Sequence, residues 1–270
     1  MKIYYISDLH LDYKTLEEKN EFLSLLNKED LFIINGDFYN DYRKTIDIVN
    51  EIDKMGVKGY WTLGNHEFFW LAERRNIEPL DKAKNKDLLN VPPAKMWDKL
   101  VDTIKAKTAK NKTFKFLETG TTVKLPNGWT LIGDIGWTSF STENYELKNK
   151  DFKQYEWFKR WNFPWIKTQN EKWVKFANAT IKKHDKVLIA THYPMYYNDK
   201  FPETSRFSSK LPLEKTYWFS SQKLEIPKGK EVVFIHGHTH DVSYKEGHVT
   251  NAIGRQGNAK KLELKEIILK

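Results

Sequence analysis

No cysteine occurs among the 270 residues. Disulfides, thiolate zinc sites and a cysteine nucleophile are therefore excluded. Long apolar runs are missing too, and none approaches the ~20 residues a membrane helix needs. The first apolar run, Lys2-Ile3-Tyr4-Tyr5-Ile6, is cut short by Ser7-Asp8 and does not read as a signal peptide. A cytoplasmic location without a membrane partner is the expectation. No internal repeat and no clear linker interrupts the chain, so the sequence predicts one domain over residues 1–270. What is present suits a packed core: 40% hydrophobic residues, with 16 Phe, 13 Tyr and 10 Trp. Basic residues outnumber acidic ones, 45 to 36, for a net charge of +9. That balance favours anionic partners such as phosphates or nucleic acid and says nothing about fold. No obligate protein partner is evident.

The first third alternates strand and helix. Ile3 to Ile6 reads as a short strand ending at Ser7-Asp8-Leu9-His10. Leu16, Phe22, Leu23 and Leu26 have helical spacing. Leu31-Phe32-Ile33-Ile34 is a second buried strand, ending at Asn35-Gly36-Asp37. Ile46, Val49, Ile52 and Met55 mark the next helix, and Gly56 fits its stop. Gly59 to Leu63 is a third strand, ending at Gly64-Asn65-His66-Glu67. This order predicts βαβ crossovers and a parallel sheet.

The middle differs. Residues 81–115 hold ten Lys and four Asp, and the sequence predicts a basic helical insertion over about 74–112, with Met96, Leu100, Val101 and Ile104 on one helix face. Its lysines read as a solvated face in preference to a nucleic-acid surface. Thr113–Leu117, Thr121–Leu125 and Trp129–Gly133 read as an antiparallel meander with a turn at Pro126-Asn127-Gly128. Residues 141–165 read as a loop or short helix whose aromatics pack. Trp173, Phe176, Ala177 and Ile181 form a helix, and Val187 to Ala190 a strand ending at Thr191-His192. Residues 193–229, with four prolines, read as a long loop beside the site, in which Tyr193, Tyr196, Tyr197, Phe201 and Phe207 would offer stacking surfaces and Lys200, Arg206 and Lys210 phosphate contacts. Val232-Val233-Phe234 is a strand that runs out into Ile235-His236-Gly237-His238-Thr239-His240. Residues 242–252 and 262–269 read as closing strands. His184, His236 and His248 read as structural or surface residues.

Five strand ends thus carry Asp8/His10, Asp37, Asn65/His66, His192 and His238/His240. Ligands bind at the carboxyl ends of strands in sheets of this kind. Apart from His66, these side chains offer carboxylate oxygen, amide oxygen and imidazole nitrogen, with no sulfur, a set suited to Mn²⁺, Fe or Zn²⁺. Seven ligands exceed what one tetrahedral ion takes, whereas two ions sharing a carboxylate account for them.

The ordered set Asp8-Leu9-His10, Gly36-Asp37-Phe38-Tyr39-Asn40, Gly64-Asn65-His66-Glu67, His192 and Gly237-His238-Thr239-His240 resembles the calcineurin-like metallophosphoesterase superfamily. The resemblance spans residues 8–240. It implies an α/β fold of two facing mixed β-sheets flanked by helices. It implies hydrolysis of phosphate esters by attack of a metal-bridging hydroxide on phosphorus. Two divalent metal ions would be the cofactors, Mn²⁺ first, with Fe, Zn²⁺ or Ni²⁺ as alternatives. Asp8, His10, Asp37 and His240 would hold one ion. Asp37, Asn65, His192 and His238 would hold the other, with Asp37 bridging. His66 would be the catalytic histidine that is not a ligand, oriented by the residue at position 40. There the family's protein phosphatases have Asp, and this chain has Asn40. The departure favours a phosphodiesterase on a nucleotide-like substrate. The alternatives are a phosphomonoesterase of broad specificity and a catalytically idle nucleic-acid-binding module. The idle module would need a lost ligand, and none is lost. Amidohydrolases place their HxH early in the chain, and the HxHxDH of metallo-β-lactamases fails at Val242.

Overall fold

Alternation along β1 (Ile3–Ser7) sets the layering of the molecule. Ile3 and Tyr5 point into one core and Ile6 into another, as the two-residue strand period requires. The computed structural model describes residues 1–68, 93–137, 163–197, 220–238, 242–245, 248–251 and 264–269. β2 (Leu31–Asn35), β3 (Lys58–Thr62) and β4 (Phe114–Phe116) follow β1 in parallel register, and β13 (Lys265–Ile267) closes its other edge antiparallel. A second sheet runs β11 (Val242–Lys245), β12 (His248–Asn251), β10 (Glu231–His236), β7 (Lys186–Thr191), β6 (Thr130–Asp134) and β5 (Val123–Lys124). Its inner four strands are parallel and its two edges antiparallel.

The two sheets face each other. Tyr5, Ile33, Leu131, Leu188 and Ile235 fill the space between them. Outside the first sheet lie α1 (Leu16–Leu25), α2 (Tyr42–Lys54) and α3 (Pro93–Thr108), which cover Ile6, Phe32 and Ile34 with Phe22, Val49, Ile52, Leu100 and Ile104. Outside the second sheet, α4 (Phe163–Lys183) lays Trp173, Ala177 and Ile181 over Ile132, Val187 and Ile189. The result is the expected α/β/β/α sandwich. The first two helices are started locally. Thr15 and Glu18 form a reciprocal capping box on α1, and Asp41 caps α2 by accepting from Arg43 N–H.

Leu16, Phe22 and Leu23 lie in α1 as their spacing predicted, with Leu16, its first residue, 72% exposed. Two expectations need correction. β4 is not part of a meander: it pairs parallel to β3, and only β5 and β6 form the antiparallel hairpin. The reason is α3, which acts as a crossover helix and returns the chain to the same end of the sheet. Asp53, at the end of α2, pins the entry to β4 by accepting from Lys112, Thr113 and Phe114 N–H. Finally, the stretch 193–229 is not all loop. It contains β8 (Met195–Tyr197) and β9 (Ser220–Leu224), paired parallel. On α3 the described lysines Lys95, Lys99, Lys105 and Lys107 are exposed, in keeping with a solvated face.

Candidate active site

Every described candidate residue sits just beyond the carboxyl end of a parallel strand. Asp8 and His10 follow β1, Asp37 follows β2, Asn65 and His66 follow β3, His192 follows β7, and His238 follows β10. Asp8, His10, Asp37 and His238 all adopt left-handed backbone, with φ of 54°, 45°, 53° and 66°. Such a conformation costs an L-residue about 1–2 kcal/mol. It persists because the turns hold one another. His10 N–H donates to Asp37 O at 2.9 Å, Leu11 N–H to Phe38 O at 2.8 Å, and Gly237 N–H to His192 O at 3.0 Å. Strain held this way gathers at functional sites. Glycine is required where the turns meet: a Cβ on Gly64 would overlap Asp37 Oδ1, and one on Gly237 would overlap Asp8 Oδ2.

The side chains converge on Asp37, which is buried. Its Oδ1 accepts from His66 N–H at 2.9 Å. Its Oδ2 faces three imidazole nitrogens: His192 Nε2 at 3.4 Å, His66 Nε2 at 3.7 Å and His10 Nε2 at 3.8 Å. No well-aligned hydrogen bond reaches this buried oxygen among the described residues, and the nearest ring nitrogen, His192 Nε2, faces it at 3.4 Å. Donor atoms around one ion, each about 2.0–2.2 Å from it, lie about 3–3.5 Å from one another. His192 falls within that spacing, and His66 and His10 lie a few tenths of an ångström beyond it. Asn65 Oδ1 lies 2.9 Å from both His192 Nε2 and His238 Nδ1, and those nitrogens are 3.3 Å apart. His192 Nδ1–H donates to Asn35 O at 3.0 Å, which turns Nε2 toward the cluster. His238 N–H donates to both Asp8 carboxylate oxygens, at 2.9 and 3.0 Å. Two sets of donor atoms lie within 4.8 Å of one another, Asp8/Asp37/His192 and His10/Asp37/His66, and Asp37 is common to both.

The electrostatics follow from burial and proximity. Burial raises the Asp37 carboxyl, but His192, His66 and His10 together outweigh it and hold it well below the usual carboxylate range. Burial lowers His192, but Asp37 and Asp8 outweigh it and push the imidazole up to about 9. A cation entering here must displace that proton, so metal binding weakens as pH falls below about 9.

The family model described as calcineurin-like phosphoesterase matches residues 1–242. The chain belongs to this family. A phosphoester substrate and divalent metal ions follow from that membership, and the Asp/His clusters offer the donors. Among solved structures, a phosphopantetheinyl hydrolase from Mycobacterium tuberculosis shares the fold, with a TM-score of 0.60 at 16% identity over 100% of this chain and 96% of the other. A protein of unknown function from Aquifex aeolicus aligns at a TM-score of 0.30 and 10% identity, over 74% and 82% of the two chains. A cold-active protein-tyrosine phosphatase from a Shewanella species aligns at 0.33 and 16%, over 72% and 67%. No curated protein matches the sequence significantly.

For this calcineurin-like phosphoesterase the sequence placed most of the cluster. Asp8, His10, Asp37, Asn65, His66, His192 and His238 come together as expected, whereas His240 lies outside the described residues. Asn40 meets His66, with Oδ1 2.5 Å from Nδ1. Asp41, the neighbouring carboxylate, instead caps α2 and pairs with Arg43. One expectation about the substrate face fails. Tyr193 is fully buried, its ring 4.1 Å from that of His238 and 6.0 Å from that of Trp137, so it packs the site and offers no stacking surface. The side chains of Tyr196 and Tyr197, and all of Lys200, Phe201, Arg206, Phe207 and Lys210, lie outside the described residues. His236 is buried in β10, and its carbonyl accepts from Tyr5 O–H across the sheets, a structural role.

Two residues of this phosphoesterase had no role assigned from sequence. Asn35 ties the sheets together under the cluster, its Nδ2 donating to Thr191 O and Ile235 O at 3.1 Å each. Glu67 clamps the Asp37 turn to the His66 turn. It accepts from Gly64 N–H at 2.7 Å, Phe38 N–H at 2.8 Å, Asp37 N–H at 3.2 Å and Thr45 O–H at 3.2 Å. Burial first, then Asp37, raise its carboxyl to about 7 in the absence of cations. Four donors nevertheless demand an acceptor-only group, and nearby cations favour the carboxylate. The available signal was a charged residue followed directly by Phe68 and Phe69. Glu67→Gln turns an amide N–H₂ toward N–H donors. Urea denaturation is expected to show a loss of about 2–3 kcal/mol, with metal retention reduced. Unchanged stability would show that the clamp is slack.

Proposed function

We propose that this chain hydrolyses phosphate diesters of nucleotide type, using the Asp37-centred cluster. Two donor groups that share the buried Asp37, Asp8/Asp37/His192 and His10/Asp37/His66, support a site for two cations, while the division of ligands between them follows the family resemblance. Asp8, His10, Asp37 and, outside the described residues, His240 would hold one; Asp37, Asn65, His192 and His238 would hold the other. Bound there, Mn²⁺ or a similar divalent ion would supply a nucleophilic hydroxide at neutral pH and neutralise phosphoryl charge. The protein's own groups do the rest. His192 is turned by Asn35 O so that Nε2 faces the cluster, and Asp8 anchors the His238 turn. His66 keeps its Nδ1 proton on Asn40 Oδ1 and delivers a proton from Nε2 to the leaving oxygen.

Diesters are favoured over monoesters by the group behind His66. An amide oxygen accepts the Nδ1 proton but adds no negative charge to stabilise an imidazolium. A monoester dianion needs more positive help than a diester monoanion, so the neutral partner penalises monoesters more. The test compares kcat/KM for bis-p-nitrophenyl phosphate and p-nitrophenyl phosphate on Mn²⁺-loaded protein. Cyclic nucleotides, single-stranded DNA and a phosphopantetheinyl ester follow, the last because a fold relative carries that name. A higher kcat/KM for the diester is expected. A clear monoester preference would replace this reading with a broad phosphomonoesterase, and absence of turnover on every substrate would favour an idle nucleic-acid-binding module.

A further inference from the structure

The turn that follows His10 grips Asn40 twice. Leu11–Tyr13 form a short 3₁₀ turn, which presents Asp12 and Tyr13 to the same residue. Asp12 Oδ2 accepts from Asn40 N–H at 2.5 Å, and Lys44 Nζ approaches the other Asp12 oxygen at 3.3 Å. Asn40 Nδ2 donates to Tyr13 Oη at 3.1 Å, while Asn40 Oδ1 faces His66 Nδ1 at 2.5 Å. We propose that Tyr13 is a positioning residue which, through the Asn40 amide, fixes His66 as the Nδ1–H form.

The need for it arises from Asn40. An amide has two ends of one shape and opposite polarity, whereas a carboxylate has two equivalent ends. With Nδ2 on the tyrosine hydroxyl, Oδ1 must face His66, and Nδ1 keeps its proton. The reversed amide would aim N–H₂ at Nδ1, push the neutral ring's proton to Nε2 and leave an imidazolium with two donors facing each other. The imidazolium that donates from Nε2, and the Nδ1–H form left once that proton has gone to the leaving oxygen, both require Oδ1 where it stands. The Tyr13 hydroxyl also accepts at the far end of the amide, which polarises Oδ1 toward Nδ1–H. Without it, the amide loses its second anchor and rotates.

The inference rests on His66 as the proton donor, and its experiment separates the two. Tyr13→Phe keeps the ring and removes the hydroxyl. For a diester with a poor leaving group, kcat is expected to fall about tenfold, the upper end of what one neutral hydrogen bond is worth. KM and metal content should stay as in wild type, and a diester with a very good leaving group should be affected less than twofold. The same substitution made on Asn40→Asp should cost less than twofold for either, because a carboxylate needs no orienting; a merely structural tyrosine would cost the same in both backgrounds. Independently of turnover, imidazole ¹⁵N NMR of the metal-free protein should show His66 as Nδ1–H in wild type and a tautomer mixture in Tyr13→Phe. If wild type itself shows no leaving-group dependence, His66 is not the acid and the proposal falls with it. If wild type does, and Tyr13→Phe matches it in rate and tautomer, the role of Tyr13 alone is refuted.

Discussion

Asp37→Ala is expected to lower kcat on a chromogenic phosphodiester by at least about 10³-fold, because two-cation charge stabilisation is worth several kcal/mol and each 1.36 kcal/mol is tenfold. The reason is topological. Asp37 is the one residue common to both donor sets, and its Oδ2 is the atom around which His10, His66 and His192 are arranged. Its removal also deletes the Oδ1 that accepts from His66 N–H, so the Asn65–His66 turn loses its fixed distance from β2. Asp37→Asn separates the two effects. It leaves an oxygen for His66 N–H but takes away the charge that holds His192 protonated near pH 9 in the absence of cations. If charge at the shared position is what matters, both variants lose activity and metal alike, by elemental analysis after Mn²⁺ loading. If only Asp37→Ala fails, the carboxylate is a structural tie. A wild-type protein that holds a single tight ion under saturating Mn²⁺ would overturn the shared-ligand reading altogether.

The elements of the fold were legible where a residue's neighbours in sequence are also its neighbours in space. The short apolar runs ending in Ser-Asp, Gly-Asp, Gly-Asn-His and Thr-His announced strand ends. Because ligand sites gather at those ends, the same reading located most of the cluster. Pairing was less legible. The three residues Phe114–Phe116 carry no mark of parallel or antiparallel partnership, and α3 read as an inserted basic helix although it also serves as the crossover that decides it. Burial of polar and aromatic groups was legible least. Nothing local distinguishes Tyr193, sealed between His238 and Trp137, from a tyrosine that greets substrate. Nothing local says that Asn35 spans two sheets or that Glu67 gathers four donors from two turns. Those facts arise only when β2, β3, β7 and β10 are brought to one edge.

His66→Ala is expected to reduce kcat by about 10²–10⁴-fold, the usual worth of a positioned general acid, while metal content stays at the wild-type level. His66 sits inside the cluster by distance: its Nε2 is 3.7 Å from Asp37 Oδ2, and its ring lies edge-on to His10 with centroids 4.6 Å apart. Distance alone would therefore allow a ligand role, and His66 does belong to one of the two donor sets. The hydrogen bond to Asn40 fits both roles: with Nδ1 donating to Oδ1, Nε2 is equally placed to bind a cation or to carry a proton at the cluster's edge. The two roles give opposite results. A proton donor matters most where the leaving oxygen is basic, so the loss should be largest for alkyl diesters and shrink toward unity for nitrophenyl ones, with both ions retained. A ligand would cost the same for every leaving group and would take an ion with it. Measuring kcat across a leaving-group series beside metal content therefore decides which of the two His66 is.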